Sequence, residues 1–467
     1  INTTMSTNAN RQQAFSGNNG STEVSTGGRT LKIIWIILSV IIILAVCAAI
    51  AVPIGLILTK NNSAIASTSS NTSMTNTTAT NSTNVTTTTV ATTINMTTTV
   101  NGTTTIATTS TTTACSYIFT NVASYSYSAP VGIATADINN DGKLDIVETN
   151  TGTNDVSVLL GMGNGNFTAS GSYSTGSGSY PRAVAFGDFN KDNQLDIVVA
   201  NYFTGNVAIL LGYGTGVFGT ATLCTIASNP YAVAVGDVNG DTCPDIAVAS
   251  QSANSITILL GNCSGAFGGS GTVKTISTGT GSNPQSVAFA DFNSDGRLDM
   301  AVANHLTDTM GIFLGYSNGT FSAQTTYSTG SGSNPNMLTI ADFNLDGKLD
   351  VVVVNNFASY SCIFFGYGDG TFMAQTQIAT SYFSGAVTSA DINNDNKPDL
   401  ICAHTSVGKI GIALNNGNGT FASEIFTATP GGGPNGIVCG DFNGDSKQDV
   451  AITNAAGGAT QIFLNPC

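Results

Sequence analysis

Short apolar runs recur in a fixed order along residues 115–467. The first kind mixes β-branched with very small residues and ends in Asp, as in IATAD (133–137), VAFGD (184–188) and LTIAD (338–342). The second is continuously apolar: DIVVAN (196–201), DMAVAN (299–304), DVVVVN (350–355). The third reads VSVLLG (156–161), VAILLG (207–212) and ITILLG (256–261), and is followed by a Gly-rich turn and a Phe, as in GNGNF (163–167) and GDGTF (368–372). Runs of this length bounded by polar turns predict strands, and continuous runs predict strands buried on both faces. Each unit is therefore four strands, A to D. The small residues of strand A suit the crowded innermost position, and the apolar strand B suits burial between neighbouring sheets.

The turn between A and B is nine residues long and nearly invariant. It carries Asp137, Asn139, Asp141 and Asp145; Asp188, Asn190, Asp192 and Asp196; Asp237, Asn239, Asp241 and Asp245; Asp291, Asn293, Asp295 and Asp299; Asp342, Asn344, Asp346 and Asp350; Asp391, Asn393, Asp395 and Asp399; and Asp441, Asn443, Asp445 and Asp449. The first Asp residues lie 51, 49, 54, 51, 49 and 50 residues apart. A period near 50 denotes a repeat architecture. Seven four-stranded units predict an all-β fold, a seven-bladed β-propeller. Oxygen side chains at positions 1, 3, 5 and 9 of a tight loop are the donor set of a hard cation such as Ca²⁺.

Charge supports this reading. The chain has 27 acidic and 13 basic residues, for a net charge of −14, and 21 of the acids sit in these loops. Seven divalent cations would neutralise the chain. Asn and Asp favour turns in any case, but turn chemistry alone does not demand three Asp residues at fixed places seven times. Loop one with Glu148 matches the EF-hand expression. The flanks read as strands, however, and the other loops carry apolar residues such as Val199 and Val248 near that place, so Glu148 is a coincidence.

The repeat is permuted at its ends. The last unit stops after strand C at IFLNPC, and the region opens with a lone D strand, CSYIFTNVASYSYSAP (115–130), which predicts that the N-terminal strand completes blade seven. Cys115 and Cys467 then flank one interrupted C–D hairpin, and a disulfide between them is expected. Cys243 and Cys263 lie on one face of one blade and form the second candidate pair. Cys224, Cys362, Cys402 and Cys439 lie in strands. The sequence alone leaves connectivity open.

The loops with their flanking strands resemble FG-GAP/VCBS repeats, and the assembly is similar to the seven-bladed propeller heads of integrin alpha chains. The resemblance covers residues 115–467. It implies Ca²⁺ in up to seven loops, held by side chains at positions 1, 3, 5 and 9 and by the backbone carbonyl at position 7, here Lys143, Gln194, Cys243, Arg297, Lys348, Lys397 and Lys447. The family's Gly at position 6 is present only at Gly142, Gly296 and Gly347. Asn193 and Asn396 tolerate a left-handed backbone. Thr242 and Ser446 do not, which makes loops three and seven the weakest candidates. The chain has loops in every blade and no legs, so heterodimer formation does not carry over.

Residues 33–58 are uncharged and long enough to span a bilayer, predicting one transmembrane helix. Arg11, Arg29 and Lys32 precede it, which places the 1–30 tail in the cytoplasm and the propeller outside the plasma membrane. Residues 61–114, rich in Thr, Ser and Asn, predict a disordered stalk. Seven glycosylation sequons begin there, from Asn61 to Asn101. Further sequons at Asn166, Asn262, Asn318 and Asn418 fall in C–D hairpins.

No nucleophile elbow, phosphate loop or zinc motif occurs, and a chain with 9% charged residues has no basic patch for nucleic acid. The two histidines, His305 and His404, read as loop variation. The expected role is a non-enzymatic cell-surface glycoprotein recognising an extracellular protein or glycan. A calcium-dependent lectin is the alternative, and a hydrolase is the weaker third. Recognition is expected on the face of the B–C and D–A loops, through Tyr180, Tyr202, Phe203, Tyr231, Phe357, Tyr360, Tyr382 and Phe383.

Overall fold

The computed structural model describes residues 117–467 apart from 227, 270 and 271, together with the backbone of three strands upstream. Those strands, Ser67–Thr80, Thr86–Val100 and Thr103–Ala107, form one sheet. They depart from the unstructured stalk expected there; β-branched threonines favour extended backbone. Residues 33–58, the expected membrane span, lie outside the described residues, and no described helix is long and apolar enough to cross a membrane.

Seven four-stranded antiparallel sheets follow. Blade one consists of strands Pro130–Ala136, Asp145–Asn150, Asp155–Gly161 and Phe167–Ser174, hydrogen-bonded in that order. Strand A of each blade contacts strand A of both neighbours, and that of blade seven returns to that of blade one, so the ring is closed. Closure is the predicted one. Thr120–Ser126 pairs antiparallel with Ala459–Leu464 as the fourth strand of blade seven.

Burial follows the sequence pattern. All residues of every strand B are buried. The core lies between blades: Val147, Val156 and Val158 of blade one pack on Ile197, Val199 and Leu210 of blade two, and six comparable clusters complete the ring. Strand A has to be slim at the axis. A Cβ on Gly132 would lie 2.4 Å from the Arg182 carbonyl oxygen of the next blade. One expectation needs adjusting. Strand D runs continuously from its Phe only in blade one; Phe218, Phe372 and Phe421 make single bridges to the end of strand C before the strand resumes.

Candidate functional site

Two features face opposite ends of the ring. At one end the A–B loops follow a single hydrogen-bond plan. In loop one, Asp137 accepts the N–H groups of Asp141 (3.0 Å) and Gly142 (2.8 Å), Asn139 Oδ1 accepts that of Asp141 (3.1 Å), and Asp141 accepts that of Lys143 (3.0 Å). The other six loops repeat these contacts. Positions 4 and 6 are left-handed in every loop: Asn140, Lys191, Gly240, Ser294, Leu345, Asn394 and Gly444, then Gly142, Asn193, Thr242, Gly296, Gly347, Asn396 and Ser446. The second of these was expected and the first was not. Thr242 and Ser446 do adopt the conformation, at φ 69° and 64°, which costs a non-Gly residue about 1–2 kcal/mol.

Position 9 has a distinct job. Asp145 is fully buried; Oδ2 accepts Ile138 N–H (3.0 Å) and Oδ1 accepts Gly161 N–H at the end of strand C (2.7 Å). The brace recurs at Asp196, Asp245, Asp299, Asp350, Asp399 and Asp449. Five blades carry Gly at the strand C end, where an added Cβ would lie 2.1–2.3 Å from a loop carbonyl oxygen; blades six and seven carry Asn415 and Asn465 there. Burial, reinforced by the neighbouring loop carboxylates and opposed by the two N–H bonds, pushes the carboxyls of Asp196, Asp245, Asp350, Asp399 and Asp449 up to about 6.

The loops also clasp the next blade. Position 2 is buried, and Phe189, Phe292, Phe343 and Phe442 pack edge-on against Phe267, Phe372, Phe421 and Phe167 at ring separations of 5.2–5.8 Å. Their carbonyls accept the N–H groups of Gly265, Gly370, Gly419 and Gly165.

The donor set suits a hard cation, since positions 1, 3, 5 and 9 offer only oxygen. In the structure those oxygens turn onto the loop's own N–H groups, and no cluster of three acidic, His or Cys side chains among the described residues is poised around a common point. At position 7, Lys143, Arg297, Lys348, Lys397 and Lys447 pair with the position 5 carboxylate at 2.7–4.0 Å. Glu148, the EF-hand coincidence, lies buried on strand B, where it accepts the Thr460 hydroxyl of blade seven.

Cys243 at position 7 of loop three is bonded to Cys263, the second candidate pair. Cys467 is disulfide-bonded, and Cys115 lies outside the described residues. Cys224, Cys362, Cys402 and Cys439 are free thiols.

At the other end, the first residues of the A strands line an axial cavity of about 420 Å³. Its lining carries one charge, Arg182. The guanidinium sits 4.2 Å from the Tyr231 ring centre and 5.6 Å from that of Tyr202, and Nη2 donates to the Tyr231 hydroxyl (3.0 Å). Tyr202 donates to Gln251 Oε1 at 2.8 Å. Tyr180, at φ 54°, packs with its ring centre 4.6 Å from that of Phe203, the two rings tilted by 43°. A bulky residue at positive φ is a genuine outlier. Of the aromatics expected on this face, Phe203, Phe357 and Phe383 are exposed; Tyr180, Tyr202, Tyr231, Tyr360 and Tyr382 are half-buried by packing.

Two features escaped the sequence reading. The loop face has exposed side chains of its own, Met162, Tyr213, Tyr316 and Tyr367, each directly after the strand C glycine. In blade six, Ser384 Oγ lies 3.2 Å from His404 Nδ1, and His404 Nε2 lies 2.9 Å from Glu424 Oε1. The only signal was His404, standing where five other blades end strand B in Asn and one in Ser.

The FG-GAP-like repeat family model matches residues 137–199, 188–248, 237–302, 291–353, 342–402 and 391–452, most of the chain. The chain belongs to the FG-GAP-like repeat family. Among solved structures, BBS1N in complex with ARL6DN, soaked with lead, is similar at TM-score 0.53 and 15% identity, covering 75% of this chain and 98% of that one. A catalytically inactive virginiamycin B lyase from Staphylococcus aureus, with quinupristin, is similar at TM-score 0.50 and 14% identity, with 74% and 97% covered. The periplasmic gluconolactonase PpgL of Pseudomonas aeruginosa scores 0.50 at 13% identity, with 72% and 92% covered. At these identities the likeness is one of fold. No curated protein matches the chain by sequence.

Proposed function

We propose that this FG-GAP-like propeller is a recognition module that binds an extracellular ligand on the face opposite its acidic loops. The observation that carries the reading is the Tyr180–Tyr202–Phe203–Tyr231 cluster around Arg182 at the cavity mouth, with Phe203 65% exposed. Tyr and Arg with a solvent-facing aromatic are typical of binding hot spots, and loops on a rigid scaffold are where such residues concentrate. Residues 33–58 would anchor the module in the plasma membrane and 61–114 would carry it outward as a glycosylated stalk. Exposed Asn166, Asn262, Asn318 and Asn418 would place sugars on the loop face. Ca²⁺ held by positions 1, 3, 5 and 9 would neutralise each loop's carboxylates and stiffen the scaffold.

A binding role is favoured over a hydrolytic one by burial. Ser384 and His404 are 1% and 0% exposed, so their hydrogen-bonded line with Glu424 has no open side for a substrate. It reads as a structural link between strands.

The test is capture of ligand-bearing cells by the full chain. Phe203→Ala removes an exposed ring without touching the brace or the core, and should weaken capture while leaving the melting temperature unchanged. Capture that survives Phe203→Ala but is lost in Tyr213→Ala or Tyr367→Ala would move recognition to the loop face.

A further inference from the structure

Arg182 is a cation without a counter-ion. No carboxylate among the described residues lies within ion-pair distance of it, although five other basic side chains are paired inside the acidic loops. Its Nε is buried and has no hydrogen-bond partner. Only the Tyr231 hydroxyl and two ring faces compensate the charge. A buried polar group left unpaired is costly, and a guanidinium offers a rigid fork that matches a carboxylate. In a chain of net charge −14, an unpaired arginine at the centre of the ring stands out against the prevailing charge.

The rest of the cavity narrows the class. Gln285, Ser286, Asn336, Asn356, Thr405 and Asn435 surround the axis with amides and hydroxyls. Such groups donate to and accept from hydroxyls alike; Gln285, Asn336 and Thr405 already donate to Asn283 Oδ1 and to the Gly385 and Pro434 carbonyls, so they meet a ligand mainly as acceptors. A volume of about 420 Å³ falls in the range of small-ligand sites. The lining is therefore matched to a molecule with one negative charge and many hydroxyls. Bare inorganic phosphate would leave most of the polar ring unused.

We propose that the axial cavity is a binding site for an acidic sugar, with Arg182 pairing its carboxylate and the surrounding amides and hydroxyls reading its hydroxyl groups. The proposal rests on the reading of this face as the recognition face and names the ligand class for it.

Calorimetric titration of the full chain with methyl β-D-glucuronide, methyl β-D-glucoside and inorganic phosphate tests the proposal. The glucuronide should bind about tenfold or more tightly than the neutral glucoside, the difference expected of a charge-assisted hydrogen bond. Arg182→Gln should bring glucuronide affinity down to that of the glucoside. Gln285→Glu, which places a carboxylate in the same cavity, should do likewise, and covers the case in which Arg182→Gln does not fold. Equal binding of glucuronide and glucoside, no binding of glucuronide by the wild-type chain, or phosphate matching the glucuronide would overturn the proposal. The titration uses isolated sugars, so it decides the cavity whatever Phe203→Ala does to cell capture; loss of capture in Phe203→Ala with no sugar binding leaves the face reading intact and removes this one.

Discussion

Replacing Glu148 by Gln tests how the ring is sealed. Glu148 is fully buried on strand B of blade one; Oε2 accepts the Thr460 hydroxyl of blade seven and Oε1 has no partner. Burial, with a smaller push from Asp155 and against the Thr460 hydrogen bond, raises its carboxyl from an ordinary 4.5 to about 8. Below pH 4.5 both folded and unfolded chains hold the proton, and the group contributes no pH dependence. Between about 4.5 and 8 the unfolded chain releases it while the folded chain keeps it. The unfolded state then binds fewer protons, so stability falls as pH rises, by about 1.4 kcal/mol per pH unit for one group.

Gln has the same shape, remains neutral and can still accept from Thr460. The wild type should therefore lose roughly 2–3 kcal/mol relative to Glu148→Gln between pH 5.5 and 7.5. The assay is urea unfolding of both proteins at the two pH values. Taking the difference between proteins cancels the slope from the buried loop aspartates, which has the same sign. Parallel pH profiles, or a variant less stable than wild type at pH 7.5, would refute the argument.

Other expectations follow from the loops. Chelation by EDTA should lower the melting temperature of the chain and added Ca²⁺ should restore it at 10⁻⁴–10⁻³ M, on the order expected of extracellular sites; an unchanged curve removes the ion from the account. Asp350→Asn turns one of the two acceptor oxygens into an NH₂ that faces a backbone N–H, and should cost about 2–3 kcal/mol in chemical unfolding, whether or not Ca²⁺ is present; a loss seen only with Ca²⁺ would make position 9 a ligand and not a brace. Thr242→Gly should raise the urea midpoint, because relief of about 1–2 kcal/mol at a left-handed position exceeds the 0.5–1 kcal/mol entropic cost of Gly; a lower midpoint contradicts the strain.

Blade number, strand order and ring closure were legible because each rests on local chemistry repeated seven times. A loop with two left-handed residues and a slim strand against the axis permit few residue types, so the pattern survives in each copy. Cys243 and Cys263 were placed on one face by the same alignment. What escaped was backbone geometry that no residue type marks, and chemistry that occurs in one blade alone. The bracing role of position 9 escaped because its two N–H partners, one of them sixteen residues further on, leave no mark on the side chains. The left-handed position 4 is filled by Lys191, Ser294 and Leu345 as well as by Gly240 and Gly444, so no residue type announces it. Ser384 and Glu424 are twenty residues to either side of His404 and meet it only in the folded blade. Arg182 is the second residue of its strand A, a place where other blades carry Tyr231, Gln285 or Asn336, and nothing in one sequence says that this place faces the axis.

The same contacts make each acidic loop a coupling between blades. Position 9 fixes the N–H of position 2, whose side chain plugs the next blade and whose carbonyl in four loops holds the next hairpin. An ion that ordered one loop would therefore tighten one blade boundary, and seven ions would tighten the whole ring. The boundary between blades seven and one shows how these contacts combine. It is sealed by Phe442 against Phe167, by the Thr453 hydroxyl on the Val131 carbonyl, and by Thr460 on Glu148, and it lies beside the strained Ser446. It also adjoins the one blade whose strands come from both ends of the described propeller. Strand 120–126 must find strand 459–464 across the entire ring, and long-range pairing of that kind is costly in loop-closure entropy. Opening should therefore start at this seam. Ionising Glu148 there would weaken the boundary that the chain has the greatest difficulty forming, while a filled loop seven would work in the opposite direction by holding Phe442 in place.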